Sequence, residues 1–158
     1  MPPHEPLTTP GKEPCMLLVR DLLRGRPAPL LLASEWSVRD AARFLRDRGI
    51  GGAPVAERGR LVGFCGERDL VAVLADGRDP LLTRVADVMT REVITCSPED
   101  TIADCEARLL RRRCRHLPVV DGGRILGCLS LRDFLQSDLR EREAEVEQLA
   151  AYIRGAGA

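Results

Sequence analysis

The chain has 158 residues, of which 24 are basic and 24 acidic, and only 3% are aromatic. The balanced charge gives no reason to expect a nucleic-acid or anionic-membrane partner, and the few aromatics leave little surface for stacking bases. No apolar run approaches the roughly 18–20 residues of a membrane helix, and residues 1–14 lack the apolar segment of a signal peptide. We therefore expect a cytoplasmic protein with no membrane partner.

The first half predicts two helices around a short strand, then a hairpin and a third helix. Residues 1–14, rich in proline and polar side chains, are predicted to be a disordered tail. Ser37 is spaced from Asp40 as a helix cap, and the apolar residues that follow share one face. The predicted elements are a helix at 16–23, a strand at 30–33, a helix at 38–48, strands at 53–56 and 61–65, and a helix at 68–74.

The second half repeats this order. Asp121-Gly122-Gly123 is a turn sequence between two apolar runs, because glycine accepts the positive φ of hairpin turns. Thr101 and Asp104 are spaced as a second helix cap. The predicted elements are a helix at 81–89, a strand at 93–96, a helix at 102–113, strands at 117–120 and 125–129, and a helix from 131 to about 155.

The two halves are a tandem repeat. From Asp40 and Asp104 onward they align without a gap at a spacing of 64 residues, whereas the leading helices are 66 apart, so the first half carries two extra residues near 25–29. The matched positions include Leu45/Leu109, Pro54/Pro118, Val55/Val119, Gly63/Gly127, Arg68/Arg132 and Asp69/Asp133. We assign a tail at 1–14, repeats at 15–78 and 79–137, and a helical extension at 138–158.

Each half resembles a CBS domain, named after cystathionine β-synthase, and two in tandem resemble a Bateman module. The resemblance rests on the order of elements and on the sequences Leu-Pro-Val-Val-Asp and Gly-Cys-Leu-Ser-Leu-Arg-Asp of the second half. It implies an α/β fold in which two repeats, each roughly helix-β-α-β-β-α, pack with pseudo-twofold symmetry. It also implies clefts between the repeats that bind adenosine-containing ligands.

The resemblance also implies roles for particular residues. Asp133 would bind the ribose hydroxyls and Ser130 would contact phosphate, while Arg115 and His116 would reach the phosphates and Thr95 would lie on the base side. Chemistry agrees, because a carboxylate can accept from both hydroxyls of a diol, helix N-terminal amides favour an anion, and arginine offers a planar fork to phosphate oxygens. The alternative is that Ser130 and Asp133 only cap a helix.

The first half departs from the family pattern. Gly66 replaces the hydroxyl of Ser130, and Gly51 and Gly52 stand where the second half has Arg115 and His116. Only Asp69 remains of the candidate ligand contacts, so we expect one strong site per chain. No catalytic motif and no metal-ligand pattern is present, and we predict neither catalysis nor an obligatory cofactor.

The cysteines are expected to be free thiols. All six lie outside any CxxC pair, and Cys65, Cys96 and Cys128 fall within predicted strands, where a small buried thiol is the simpler interpretation. The final helix carries Leu139, Val146, Leu149 and Ile153 at steps of seven, three and four, which is typical of a self-association stripe. We therefore expect a homodimer.

Three functions remain open from the sequence. The first is a non-enzymatic sensor that binds AMP, ADP, ATP, NAD or S-adenosylmethionine and transmits a conformational change to an unknown regulated protein. The second is a structural dimerisation module with vestigial clefts. The third is a nucleic-acid-associated regulator that uses the arginine-rich run 111–116, although a solvated helix end, or contact with the phosphate of a small ligand, explains that run better.

Overall fold

The computed structural model describes residues 17–156. Its helices are α1 (Val19–Leu23), α2 (Val38–Arg48), α3 (Glu67–Ala75), α4 (Ile102–Arg112) and α5 (Leu131–Ala156), and its strands are β1 (Leu32–Ala33), β2 (Gly52–Glu57), β3 (Arg60–Gly66), β4 (His116–Asp121) and β5 (Arg124–Ser130). The predicted tail at 1–14, Cys15 and Met16 lie outside the described residues. Among the described helices, none combines the length and hydropathy needed to cross a bilayer.

The tandem repeat and the α/β fold are confirmed. The starts of α2, β2, β3 and α3 recur 64 residues later as the starts of α4, β4, β5 and α5. Both hairpins also carry a register shift at the same relative position, between Val55 and Ala56 and between Val119 and Val120. The two hairpins join through β3 and β5 into one five-stranded sheet in the order β1-β2-β3-β5-β4.

The predicted helix caps are confirmed. The hydroxyl of Ser37 accepts a hydrogen bond from the backbone amide of Asp40 at 3.1 Å, and Thr101 does the same for Asp104 at 3.1 Å. Each bond satisfies an amide that the first turn of a helix leaves unpaired. These polar pairs therefore serve the fold.

The helix predicted at 81–89 was wrong, since only a single 3-10 turn forms there, at Val85–Asp87. The backbone amides of this segment find partners outside it. Val85 donates to the carbonyl of Trp36 at 2.9 Å and Ala86 to that of Ser34 at 3.0 Å. Because these bonds dock the segment onto the first repeat, they replace the bonds that would extend a helix.

The strand predicted at 93–96 was also wrong as an extended element. Cys96 alone forms a parallel bridge to Val119, donating to the carbonyl of Pro118 at 3.0 Å and accepting from the amide of Val120 at 2.9 Å. The pairing stops there, and Pro98, which has no amide hydrogen to donate, follows two residues later. The first repeat extends the same pairing to two residues, Leu32 and Ala33.

The leading segments of the repeats are exchanged between the two cores. Val19 of α1 is buried in the core of the second repeat, beside Leu117 and Phe134. Val85 and Met89 are buried in the core of the first repeat. The matched glycines make room for the exchange, since a Cβ at Gly127 would lie 2.7 Å from Leu23 and one at Gly63 would lie 2.5 Å from the sulfur of Met89.

This exchange fixes the path of the chain across the molecule. Because α1 packs on the second repeat and β1 belongs to the first, residues 24–31 must pass between them. That segment is irregular and contains Gly25, whose φ is +71°. It is the segment that carries the two extra residues of the first half.

The five described cysteines are free thiols, as predicted, and Cys65, Cys96 and Cys105 are buried. Burial raises the pKa of Cys65 and of Cys128 to about 12, with smaller contributions from Asp69 and Asp133 respectively. These two thiols therefore stay protonated at neutral pH and pack as small apolar groups.

Candidate ligand-binding cleft

A cleft of about 560 Å³ lies between the two repeats. The first repeat contributes the irregular segment around Pro27–Leu30, the end of α2 and the start of β2, and the second repeat contributes the starts of β4 and α5. The polar side chains on its walls are Arg26, Glu67, Arg115, His116, Ser130, Arg132 and Asp133. The structure thus places four of the predicted residues, Arg115, His116, Ser130 and Asp133, around one cavity.

The two carboxylate oxygens of Asp133 have different hydrogen-bond partners. Its Oδ2 accepts from the backbone amide of Ser130 at 2.6 Å and from the Ser130 hydroxyl at 2.8 Å, which caps the start of α5. Its Oδ1 accepts from Nη2 of Arg26 at 2.7 Å. The cap interpretation and the ligand interpretation are therefore compatible, because they use different oxygens.

The ionisation of Asp133 follows from these contacts. Burial of the carboxyl group by itself raises its pKa, but hydrogen bonds from Arg26 and Ser130 and the charge of Arg26 outweigh burial, so the pKa lies below its ordinary value. Asp133 is consequently an anion at neutral pH. It can accept hydrogen bonds from a vicinal diol, which a protonated carboxyl would do less well.

His116 pairs with Ser130 across the β4–β5 ladder and is half-buried. Its ring centroid is 5.2 Å from that of Phe64, at an angle of 31°. Burial is the main cause that lowers the pKa of His116, and Arg115 lowers it further, against the opposing charges of Asp133 and Glu67. His116 is therefore neutral at pH 7, and an anionic ligand would find there a hydrogen-bonding group and not a full positive charge.

The arginine-rich run divides into two parts. Arg111, Arg112 and Arg113 are exposed at the C-terminal end of α4, where the helix dipole favours cations. Arg115 is also exposed but belongs to the cleft wall. Of the four arginines in this run, only Arg115 is therefore placed to meet a ligand in the cleft.

Thr95, predicted on the base side, is not among the residues that line the cleft of Asp133. Its carbonyl accepts from Nη1 of Arg108 at 3.1 Å, and the same guanidinium bonds to Asp100 at 2.6 Å. The exchange of the leading segments accounts for this placement, because the first repeat supplies the chain that lines the cleft beside Asp133. Leu30 and Ile50 of that repeat lie in the cleft instead.

Asp69 is the counterpart of Asp133 in the first repeat but lies outside the cavity. Its Oδ2 accepts from the backbone amide of Gly66 at 2.8 Å, which is the same capping bond that Asp133 makes. Gly66 offers no hydroxyl, and a Cβ at Gly51 would lie 3.5 Å from the Glu67 carboxylate. Where the second repeat has Arg115 and His116, the first repeat therefore has glycine beside the Glu67 carboxylate.

Comparison with protein-family models supplies the identity of the fold. The model of the CBS domain matches twice, at residues 19–76 and 85–140. The chain belongs to the CBS-domain family. The chain is 31% identical over 132 residues to the mitochondrial CBS domain-containing protein CBSX3 of Arabidopsis thaliana. The match covers 80% of this chain and 64% of that one.

Solved structures of CBS domain pairs have the same architecture. The pair of protein MJ0100, in complex with 5′-methylthioadenosine and S-adenosyl-L-methionine, is 26% identical with a TM-score of 0.72, covering 80% of this chain and 98% of that one. The CBS domain protein PAE2072 of Pyrobaculum aerophilum, complexed with AMP, is 26% identical with a TM-score of 0.68, covering 74% of this chain and 89% of that one.

Two charged residues that line the cleft, Arg26 and Glu67, were not predicted from the sequence. Arg26 lies in the irregular segment 24–31 and Glu67 is the first residue of α3, and neither occurs in the motifs of the repeat. The two-residue surplus of the first half pointed to the segment that contains Arg26. Nothing in the sequence pointed across 107 residues to its contact with Asp133.

The depressed pKa of His116 gives a first prediction. As the pH falls below the ordinary histidine pKa of 6.5, His116 takes up a proton in the unfolded chain more readily than in the folded chain. The free energy of unfolding is therefore greatest above that pH and decreases as the pH falls below it. We expect His116→Asn to lose less stability than the native chain between about pH 7 and 5.5, measured by urea unfolding. Parallel pH profiles for the two chains would contradict this assignment.

Proposed function

We propose that this CBS pair is a non-enzymatic regulatory module that binds an adenosine-containing ligand in the cleft and signals to a partner protein by conformational change. The observation that carries the proposal is the position of Asp133, which lines one cavity together with Arg115 and His116. A carboxylate for a diol, and an arginine beside a hydrogen-bonding imidazole for phosphate, are groups that a nucleotide needs.

The related structures support the ligand class. The MJ0100 pair holds 5′-methylthioadenosine and S-adenosyl-L-methionine, and PAE2072 holds AMP. We propose that the base lies against the apolar side chains of Ala28, Pro29, Leu30 and Ile50, which line the cleft from the first repeat. Ser130 and Arg115 would then approach the phosphate or other 5′ group.

A ligand panel tests the proposal. AMP, ADP, ATP, NAD, S-adenosylmethionine and 5′-methylthioadenosine are added separately to the full chain, with GMP as a base-specificity control. At about 100 times its dissociation constant a ligand adds roughly 2.7 kcal/mol, and we expect the melting temperature to rise by several degrees. No shift with any adenosyl compound would contradict the proposal.

The second candidate is a structural module that serves homodimer formation. Leu139, Val146, Leu149 and Ile153 of α5 are all exposed, which supports the proposal that this stripe packs against a second copy. The two functions are compatible, because the cleft and the stripe occupy different regions. A dimer that binds no adenosyl ligand would favour assembly alone.

A further inference from the structure

The ribose-binding carboxylate of the proposed site already has a partner within the chain. Arg26 donates to Oδ1 of Asp133 at 2.7 Å, and Ser130 donates twice to Oδ2. Both oxygens of Asp133 are thus engaged by donors. The hydroxyls of a ribose would have to compete for Oδ1 with a guanidinium.

The contact is sheltered more than an ordinary surface ion pair. The Asp133 side chain is 19% exposed and the Arg26 side chain 37%. Ion pairs in this range contribute modestly, because solvent still screens them. The pair is therefore strong enough to oppose a ligand and weak enough to be displaced by one.

Arg26 also has an alternative place to go. It lines the cleft and, on its other side, a second groove that contains Asp21 and Glu141. Asp21 is at present paired with Arg24 at 3.4 Å, a loose contact. The irregular segment around Gly25 permits a change in backbone direction, and the second groove holds two carboxylates, Asp21 and Glu141, beside the cations Arg24 and Arg140.

We propose that Arg26 is an internal competitor for the ribose subsite, and that ligands enter by exchanging the Arg26–Asp133 ion pair for a diol–Asp133 contact. This inference rests on the proposed function. The exchange selects for ligands that carry a free vicinal diol, since a 2′-deoxyribose offers one hydroxyl in place of the ion pair. It also moves a positive charge toward Glu141, at the point where α5 leaves the second repeat.

The test uses adenosine, whose lack of charge at neutral pH removes any direct attraction between Arg26 and the probe. Because the native chain must break the ion pair first, Arg26→Gln is expected to bind adenosine about three- to tenfold more tightly. Added salt should tighten binding to the native chain and leave the variant unchanged. Arg112→Gln, which removes an exposed arginine at the end of α4 outside both the cleft and the second groove, should behave as the native chain.

Other outcomes overturn the inference in distinguishable ways. Equal or weaker adenosine binding by Arg26→Gln would show that Arg26 does not compete. A double-mutant cycle of Arg26→Gln with Asp133→Asn, measured by urea unfolding without ligand, should show coupling, and zero coupling would show that the pair does not form. If neither chain binds adenosine or AMP at millimolar concentration, the proposed function itself fails, whatever the cycle shows.

Discussion

Asp133→Ala is expected to weaken AMP binding by a factor of ten or more, whereas Asp69→Ala is expected to leave most of it intact. Asp133 faces the cleft with Arg115 and His116, and Asp69 does not line that cleft. A charge-assisted hydrogen bond is worth roughly 1.5–3 kcal/mol, which corresponds to about one to two orders of magnitude in the dissociation constant. Calorimetric titration of both variants measures the difference.

Asp69→Ala is a matched control for the structural part of this change. Asp69 caps α3 through the amide of Gly66 at 2.8 Å, as Asp133 caps α5 through that of Ser130 at 2.6 Å. Each alanine therefore removes an equivalent helix-capping bond, which costs about 0.5–2 kcal/mol of stability. Equal losses of affinity would mean that both repeats contribute alike, and would refute a single strong site per chain.

Most of the fold could be predicted because its determinants are local. The caps at Ser37 and Thr101, the glycine turns and the alternation of apolar runs each act within a few residues. The repeat then supplied a check, since two independent segments had to give the same elements at the same spacing. Helix α2 was predicted at 38–48 and is found at Val38–Arg48.

The two wrong elements have a non-local cause, which also decides which segment lines the cleft. The segment 81–89 has helical spacing of its apolar residues, but its amides bond to Ser34 and Trp36 of the other repeat. The same exchange brings residues 26–30, instead of Thr95, to the cleft that contains Asp133. A sequence shows which residues are apolar or charged, yet the partner that a distant segment will meet depends on packing between the repeats.

The exposed apolar stripe on α5 leads to a prediction about dimer formation. Leu139, Val146, Leu149 and Ile153 are between 60% and 71% exposed, at a spacing that places them along one side of the helix. A run of exposed apolar side chains at this spacing is typical of a helix that packs against a partner. We expect the full chain to be a dimer in light scattering at tens of micromolar.

Leu149→Asp combined with Ile153→Asp should dissociate that dimer. Replacing an apolar side chain at the centre of an interface costs about 2 kcal/mol or more, and a symmetric dimer contains each substitution twice. The dissociation constant is therefore expected to rise by about a hundredfold or more. Leu110→Asp on α4, where the leucine is 73% exposed, is the control for an added charge at an exposed leucine elsewhere.

Truncation after Ser137 should weaken the dimer as well, and a native chain that is monomeric at tens of micromolar would refute the assignment of the stripe. Unchanged AMP binding by the doubly substituted chain would further show that the cleft functions within a single copy, because its lining residues all precede Phe134.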